Sequence, residues 1–548
     1  MNWLCRSAAW GAVLLASLCA ALPVQAQDVG PAIYQRGLLP NGEALRGERL
    51  AGGAVTGLAA ACTTCHRRSG LGSSEGRIVV PPIIGRYLFR PHATNVQDIN
   101  LPHVPGYRST REPYTDVTLA KVIRQGIGPN GRTLSDLMPR FDLNDADMAA
   151  LMDYLKSLGA GRARGVGDDV LHFATIITPD TALQQRQAML DVMQRFFADK
   201  NEFIRGGMRP MQATREIEYR VSRRWQLHVW DLTGPPALWY QQLRDRLRQE
   251  PVLAVVSGLG HTIWQPIHQF CEAEQVPCLL PNIDLPVVQE SDFYSVYFSR
   301  GVLLEADLMR QPLHEQSEAG QVRRVVQLYR GGDIGEAAAR HLKASLQEVP
   351  QGGLDKPTLA VDNRKLDNGT DAASALTKAL KDVHATDALV LWLRAQDLAA
   401  LPSQVVPGSA QWVSGLMGGL EHAPLPDAWR AKLMMSYPLD LPDQRKIRMN
   451  FPLSWFRIRH IAVVDERMQT DTYIACGILA ETLTEMLDSF VPDYLVERLE
   501  TMVSHRLVNG YYPRLGLAAG QRFASKGGYV VRLSDHDKVV ADRDWVVP

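Results

Sequence analysis

One short stretch of the chain carries side chains whose spacing is itself chemistry: Cys62-Thr63-Thr64-Cys65-His66. Two thiols two residues apart on one turn reach the two vinyl groups of a porphyrin, and the adjacent imidazole then lies beneath the iron as an axial ligand. This Cys-x-x-Cys-His pattern is the attachment signature of c-type haem. A bare Cys-x-x-Cys serves equally as a redox dithiol or as half of a zinc site. Neither of those requires the following histidine, and no second Cys-x-x-Cys exists to complete a zinc site. The motif occurs once, so one covalently bound haem, with its iron, is expected.

The other face of the iron needs a ligand or is open for chemistry. Met138 is the candidate, a thioether on a non-helical loop followed by Pro139 and an amphipathic helix. Asp142, Asn144 or Asp145 is placed to cap that helix, whose apolar positions include Met148, Leu151, Met152, Leu155 and Leu158. Met148 and Met152 have core spacing. His92 and His103 are rival ligands, and an open sixth site is the remaining alternative. A His66/Met138 pair raises reduction potential and keeps six ligands in both redox states, which favours electron transfer over oxygen chemistry.

The elements that position these groups begin with an export signal. Arg6, the apolar run 8–22 and Val24-Gln25-Ala26 read as a secretory signal peptide over residues 1–26, with Gln27 the new N-terminus. The apolar run is short for a bilayer span of roughly 20 residues, and no later stretch is long enough to span. The expected product is soluble and periplasmic. Cys5 and Cys19 leave with the signal. In an oxidising compartment Cys271 and Cys278, seven apart across a helix-to-strand turn, are expected to form a disulfide, with two buried thiols as the alternative. Cys476 lies in an apolar helical stripe and reads as core.

With 548 residues, 46% hydrophobic and 22% charged, the chain has ordinary globular usage, which argues against a disordered, fibrous or many-spanning protein. Net charge is zero, and nothing points to a nucleic-acid partner. The balance is uneven along the chain. Residues 27–165 carry 17 Lys/Arg against 12 Asp/Glu, and residues 166–548 carry 41 against 47, so two modules of opposite sign are expected.

The first module resembles a class I, monohaem c-type cytochrome, expected as an all-α domain over residues 27–160. The residues that carry the likeness are the Cys62–His66 motif, Ser69-Gly-Leu-Gly72, Pro81-Pro82-Ile-Ile-Gly85, the helix-like run Tyr114 to Gly126, Met138-Pro139 and Tyr154-Leu-Lys-Ser-Leu158. The resemblance implies that a proline carbonyl, that of Pro81 by pattern with Pro82 as the alternative, accepts the His66 imidazole N–H and fixes the ring. The loop 86–113 is longer than in small cytochromes of this family.

The Gly-rich run 159–169 reads as flexible, with residues 161–169 assigned as the linker. Beyond it, strand-like runs at 171–177, 226–231, 252–257, 277–281, 324–329, 388–393, 411–414 and 433–437 alternate with helical patterns at 182–198, 237–249, 262–274 and 334–346. Such alternation predicts parallel sheets flanked by helices, and the length predicts two lobes over residues 170–548. In order and texture this stretch resembles the type I periplasmic solute-binding proteins of the branched-chain amino-acid receptor kind. The likeness lies in Val255-Val-Ser-Gly-Leu-Gly260, the Cys271–Pro281 and Phe293–Arg300 segments, the helical run 473–490 and the tail 515–532. It implies lobes that close on a small molecule, with Ser257, His261 and Thr262 at the position of the family's anion-binding loop. Ile263 and Trp264 stand where that family has further hydroxyl residues, so a cap without a ligand is the competing reading.

Together these features predict an exported one-electron carrier with an attached solute-binding-like module, more a carrier than a catalyst. Its expected partners are a periplasmic dehydrogenase or another cytochrome, and a small-molecule ligand. A ligand-responsive redox sensor and a haem enzyme with an open sixth site are the alternatives.

Overall fold

The computed structural model describes residues 29–75, 77–89, 112–205, 223–289, 291–348, 359–486, 489–506, 508–534 and 538–548. The signal-like segment 1–26, and the rival ligands His92 and His103, lie outside the described residues. The chain divides into two compact units, residues 1–94 with 104–160, and residues 161–548 with 95–103.

The first unit is built on helices Val29–Arg36, Thr63–His66, Asp116–Gln125 and Asp145–Ser157. Local chemistry sets their starts. Thr115 opens Asp116–Gln125 with a reciprocal cap, its hydroxyl accepting the Thr118 N–H while the Thr118 hydroxyl accepts its own N–H. Asn144 accepts the Asp147 N–H at 2.8 Å and so starts the last helix. Helices Val29–Arg36 and Asp145–Ser157 pack together at Gly30, where an added Cβ would overlap the Ala150 carbonyl oxygen. Only glycine permits that approach. Their buried faces supply Ile33, Tyr34, Leu151 and Leu155 to one core with Leu119 and Ile123, each aliphatic side chain contributing about 1.5–3 kcal/mol.

The unit is not purely helical. Strands β1 (Arg46–Glu48), β2 (Ala54–Thr56), β3 (Ser73–Glu75), β4 (Ile78–Val80) and β5 (Arg140–Phe141) form a small antiparallel sheet in the order β2-β1-β5 and a separate β3-β4 pair. With two or three residues each, they are too short to leave an alternating pattern in the sequence.

The second unit has two sheets. In the first, β6 (Val170–Ile177), β7 (Arg224–Asp231), β8 (Ala254–Val256), β9 (Cys278–Leu279) and β10 (Ser295–Val296) run parallel in the order β10-β9-β8-β6-β7. The second sheet contains β11 (Arg324–Arg330), β12 (Ala360–Leu366), β13 (Asp387–Trp392), β14 (Ala410–Ser414), β15 (Met434–Tyr437), β16 (Tyr529–Leu533) and β17 (Val539–Ala541), in the order β12-β11-β13-β14-β15-β16-β17. Its first five strands are parallel, and β16 and β17 add antiparallel. Helical crossovers cover the parallel strands, so β13 and β14 are buried along their whole length. Each sheet centres one lobe with its own core, around Trp230, Phe270 and Leu243 in the first and around Trp392, Trp412 and Leu342 in the second.

The chain passes between lobes after β10, after β15 and again before β16, and helix Glu466–Met486 packs against helix Leu183–Arg205 of the first lobe. Cys271 and Cys278 are disulfide-bonded, with Cα atoms 6.1 Å apart, tying helix Gln265–Ala273 to β9. The Gly-rich segment 161–169 is anchored rather than free. The His172 N–H donates to the Gly165 carbonyl at 2.8 Å, Arg164 donates to the Glu274 carbonyl, and Gly165 lies against the backbone of Val252 and Leu253. Composition made it look flexible because glycine, here at φ +70°, serves close packing as well as freedom. Among the described residues no helix is long and apolar enough to cross a membrane.

Candidate functional site

A cavity of about 380 Å³ opens in the first unit, lined among others by Cys62, Cys65, His66, Pro81 and Met138. The His66 N–H bonds the Cys62 carbonyl at 2.8 Å, so both thiols and the imidazole spring from one helical turn. His66 Nδ1–H donates to the Pro81 carbonyl at 2.9 Å, which fixes the ring and leaves Nε2 as the nitrogen available to a metal. Burial lowers the pKa of His66, opposed by the Pro81 hydrogen bond, and so favours the neutral imidazole that metal ligation requires. Burial also pushes the Cys62 thiol up to about 12.

Met138 sits on a tight turn in which its N–H donates to the Ser135 carbonyl at 3.1 Å. Arg140, two residues on, donates to the carbonyls of Met138, Ser135 and Leu134 and thereby holds the methionine loop. Its guanidinium lies over Gly126, the left-handed residue (φ +72°) that ends helix Asp116–Gln125, and a Cβ there would overlap it. The donor set suits a haem: two thiols, an oriented imidazole, a thioether and an aliphatic wall. Arg49, whose buried Nε has no partner, lines the same cavity and would offer a cation to an acidic group of a bound haem. Sequence reading did not single out Arg49 or Arg140. Arginines carry no spacing signal until the loops that place them are folded.

In the second unit the three expected ligand residues do not form one surface. Ser257 is fully buried. Its hydroxyl donates to Thr472 Oγ1 at 3.0 Å and accepts from Asn282 Nδ2 at 3.0 Å. The helix begins at Gln265, so His261 and Thr262 lie on the loop before it rather than at its first turn. A carboxylate of the chain serves that loop: Asp180 accepts the Thr262 hydroxyl at 2.6 Å, the His261 N–H at 3.5 Å and the Thr178 hydroxyl. His261 Nε2 bonds Gln185 Oε1 at 2.9 Å. These donors hold the Asp180 pKa below the usual carboxylate range despite its burial.

A small cavity of about 40 Å³ lies between the lobes, lined by His261, Asn282 and Asp284 of the first lobe, Leu416 of the second, and Arg467 and Asp471 of helix Glu466–Met486. Arg467 makes a two-pronged ion pair with Asp284, at 2.9 and 3.0 Å. Asp471 is 3% exposed and accepts the Tyr512 hydroxyl at 3.3 Å. Burial, opposed by the Arg467 charge, raises its pKa to about 7. Arg467 and Asp471 stand four apart on one helix, and chain crossings bring Asp284 to them, which leaves no local pattern.

With this geometry in hand, residues 51–159 match the family described as Cytochrome c, and they form a cytochrome c domain. A search of curated proteins finds no match to the chain. Among solved structures, the substrate-binding periplasmic protein from Ralstonia solanacearum is similar at 14% identity with a TM-score of 0.50, covering 68% of this chain and 100% of that one. A fatty acid ABC transporter substrate-binding protein from Thermomonospora curvata (14% identity, TM-score 0.48, 71% of this chain and 95% of that one) is also similar. So is the leucine-binding protein LivK from Thermotoga maritima (14%, 0.46, 69% and 99%). The Ralstonia likeness shows the fold: beyond the cytochrome domain the chain has the two-lobed α/β architecture of type I periplasmic binding proteins.

Proposed function

We propose that this protein is an exported one-electron carrier with one haem, whose second unit recognises a small molecule. Cys62 and Cys65 would hold the haem covalently, and His66 and Met138 would ligate its iron. When bound, the haem supplies an iron that alternates between two oxidation states. Pro81 fixes the imidazole plane, and Arg140 holds the loop that presents the thioether. The aliphatic wall would lower the dielectric around the iron. Two ligands held by separate, well-tied segments favour electron passage over binding of a reacting molecule. The reading rests on one observation above all: the motif cysteines, the oriented His66 and Met138 line a single cavity. The signal-like start supports periplasmic residence.

The test is potentiometry on the purified full chain with redox mediators. One reversible single-electron step, unaffected by added peroxide or oxygen, is expected. Irreversible reaction with either reagent would replace the carrier with an enzyme.

A further inference from the structure

We propose that the cavity between the lobes holds the ammonium group of a small primary amine, received by Asp471 Oδ1 and Asn282 Oδ1. This rests on the reading of the second unit as a ligand-recognising module and names the class of ligand. The argument begins from hydrogen-bond accounting. Among the residues lining the cavity, two buried side-chain polar atoms have no partner, Asp471 Oδ1 and Asn282 Oδ1. Both are acceptors. Asn282 is held with its oxygen free because its Nδ2 donates to the Ser257 and Thr472 hydroxyls, each at 3.0 Å. A buried acceptor without a donor destabilises the fold, so the site calls for a group that donates.

Three of the lining side-chain donors are already committed. Arg467 is spent on Asp284, Tyr512 on Asp471 Oδ2, and Gln185 Nε2 on Asp465 at 3.0 Å. Three carboxylates, Asp284, Asp465 and Asp471, face one guanidinium, and that imbalance favours a cation. These carboxylates do not converge as metal ligands do; among the described residues the group close enough to do so is His268, Glu272 and Asp292, elsewhere in the lobe. A volume of about 40 Å³ admits an ammonium group and little more.

An amino acid would also need a seat for its carboxylate. At the loop 261–262 that seat is filled by Asp180, and Ser257 is buried beneath Thr472 and Asn282. The site therefore selects an amine without a neighbouring carboxylate. Arg467, Tyr512, Asp465 and Asp284 are the charged and titratable groups around Asp471. The carboxyl is pushed up to about 7 by burial, and an arriving cation favours its ionised form, so binding near neutral pH releases a proton.

The test is calorimetry on the full haem-loaded chain at pH 6.5 with methylamine, leucine and acetate, repeated in two buffers of different ionisation heat. Saturable methylamine binding with proton release, and inert leucine and acetate, are expected. Asp471→Asn keeps the shape and should weaken methylamine about tenfold to hundredfold, the value of a hydrogen bond to a charged group. Its circular dichroism and melting curve establish that it folds. Leucine or acetate binding with methylamine inert would overturn the amine assignment and leave ligand recognition standing. No binding of any probe, with ordered water alone in a crystal of the soaked protein, would overturn both.

Discussion

Arg394 Nη2 donates to the carbonyl oxygen of His261 at 3.0 Å, joining the segment after β13 in one lobe to the loop after β8 in the other. Asp333 holds the same guanidinium at 2.6 and 2.8 Å, so the arginine reaches across the cleft on a fixed base. The lobes are thus latched by the chain's own side chain. Arg394→Ala should favour opening by about 1.5–3 kcal/mol, the scale of one hydrogen bond to a charged group. Amide exchange at residues 258–262 should accelerate roughly tenfold or more. Unchanged exchange there would mean that other contacts close the cleft.

Gly126 and Arg140 form a second dependent pair. Gly126→Ala places a side chain at φ +72° and against the guanidinium that ties down the Met138 loop. The substitution should cost the first unit about 1–3 kcal/mol in denaturant unfolding. Arg140→Ala should cost less stability but loosen Met138, increasing carbon monoxide binding to the reduced protein.

Glu305 provides a pH-dependent stability. It is fully buried on helix Val302–Glu318, where it accepts from the Ser414 hydroxyl and from the Leu416 N–H at 2.9 Å. Burial pushes its pKa up to about 8. The folded state therefore holds a proton that the unfolded chain loses at ordinary carboxylate pH. Stability from this group is complete in acid, declines above the unfolded pKa and is lost as pH rises through about 8. Glu305→Gln mimics the protonated form, so it should raise the unfolding temperature of the second unit by a few degrees at pH 8.5 and barely at pH 5. An equal effect at both pH values would contradict the assignment.

What the sequence revealed and what it hid divide along physical lines. The haem motif is legible because covalent attachment confines its residues to one turn. Strands such as β13 are legible because burial on both faces demands a continuous apolar run, Asp387-Ala-Leu-Val-Leu-Trp392. Strand β12 went unread: it lies at the sheet edge, and its Asp362, Asn363, Arg364 and Lys365 resemble a loop. The start of helix Gln265–Ala273 was misplaced by three residues because Thr262 looked like a cap, whereas its hydroxyl goes to Asp180. Asp180 and Asp471 left no signal, since Thr262 and Tyr512, which donate to them, lie 82 and 41 residues away in sequence.

The most direct test of the central claim is the visible spectrum of the oxidised and reduced full chain, with carbon monoxide added to the reduced form, beside Met138→Ala. Ligation by His66 and Met138 predicts a weak far-red sulfur-to-iron band in the oxidised protein and no carbon monoxide shift. The variant should lose the band and bind the gas. Ready carbon monoxide binding by the unaltered protein, with no far-red band, would contradict a saturated iron and with it the role as an electron carrier.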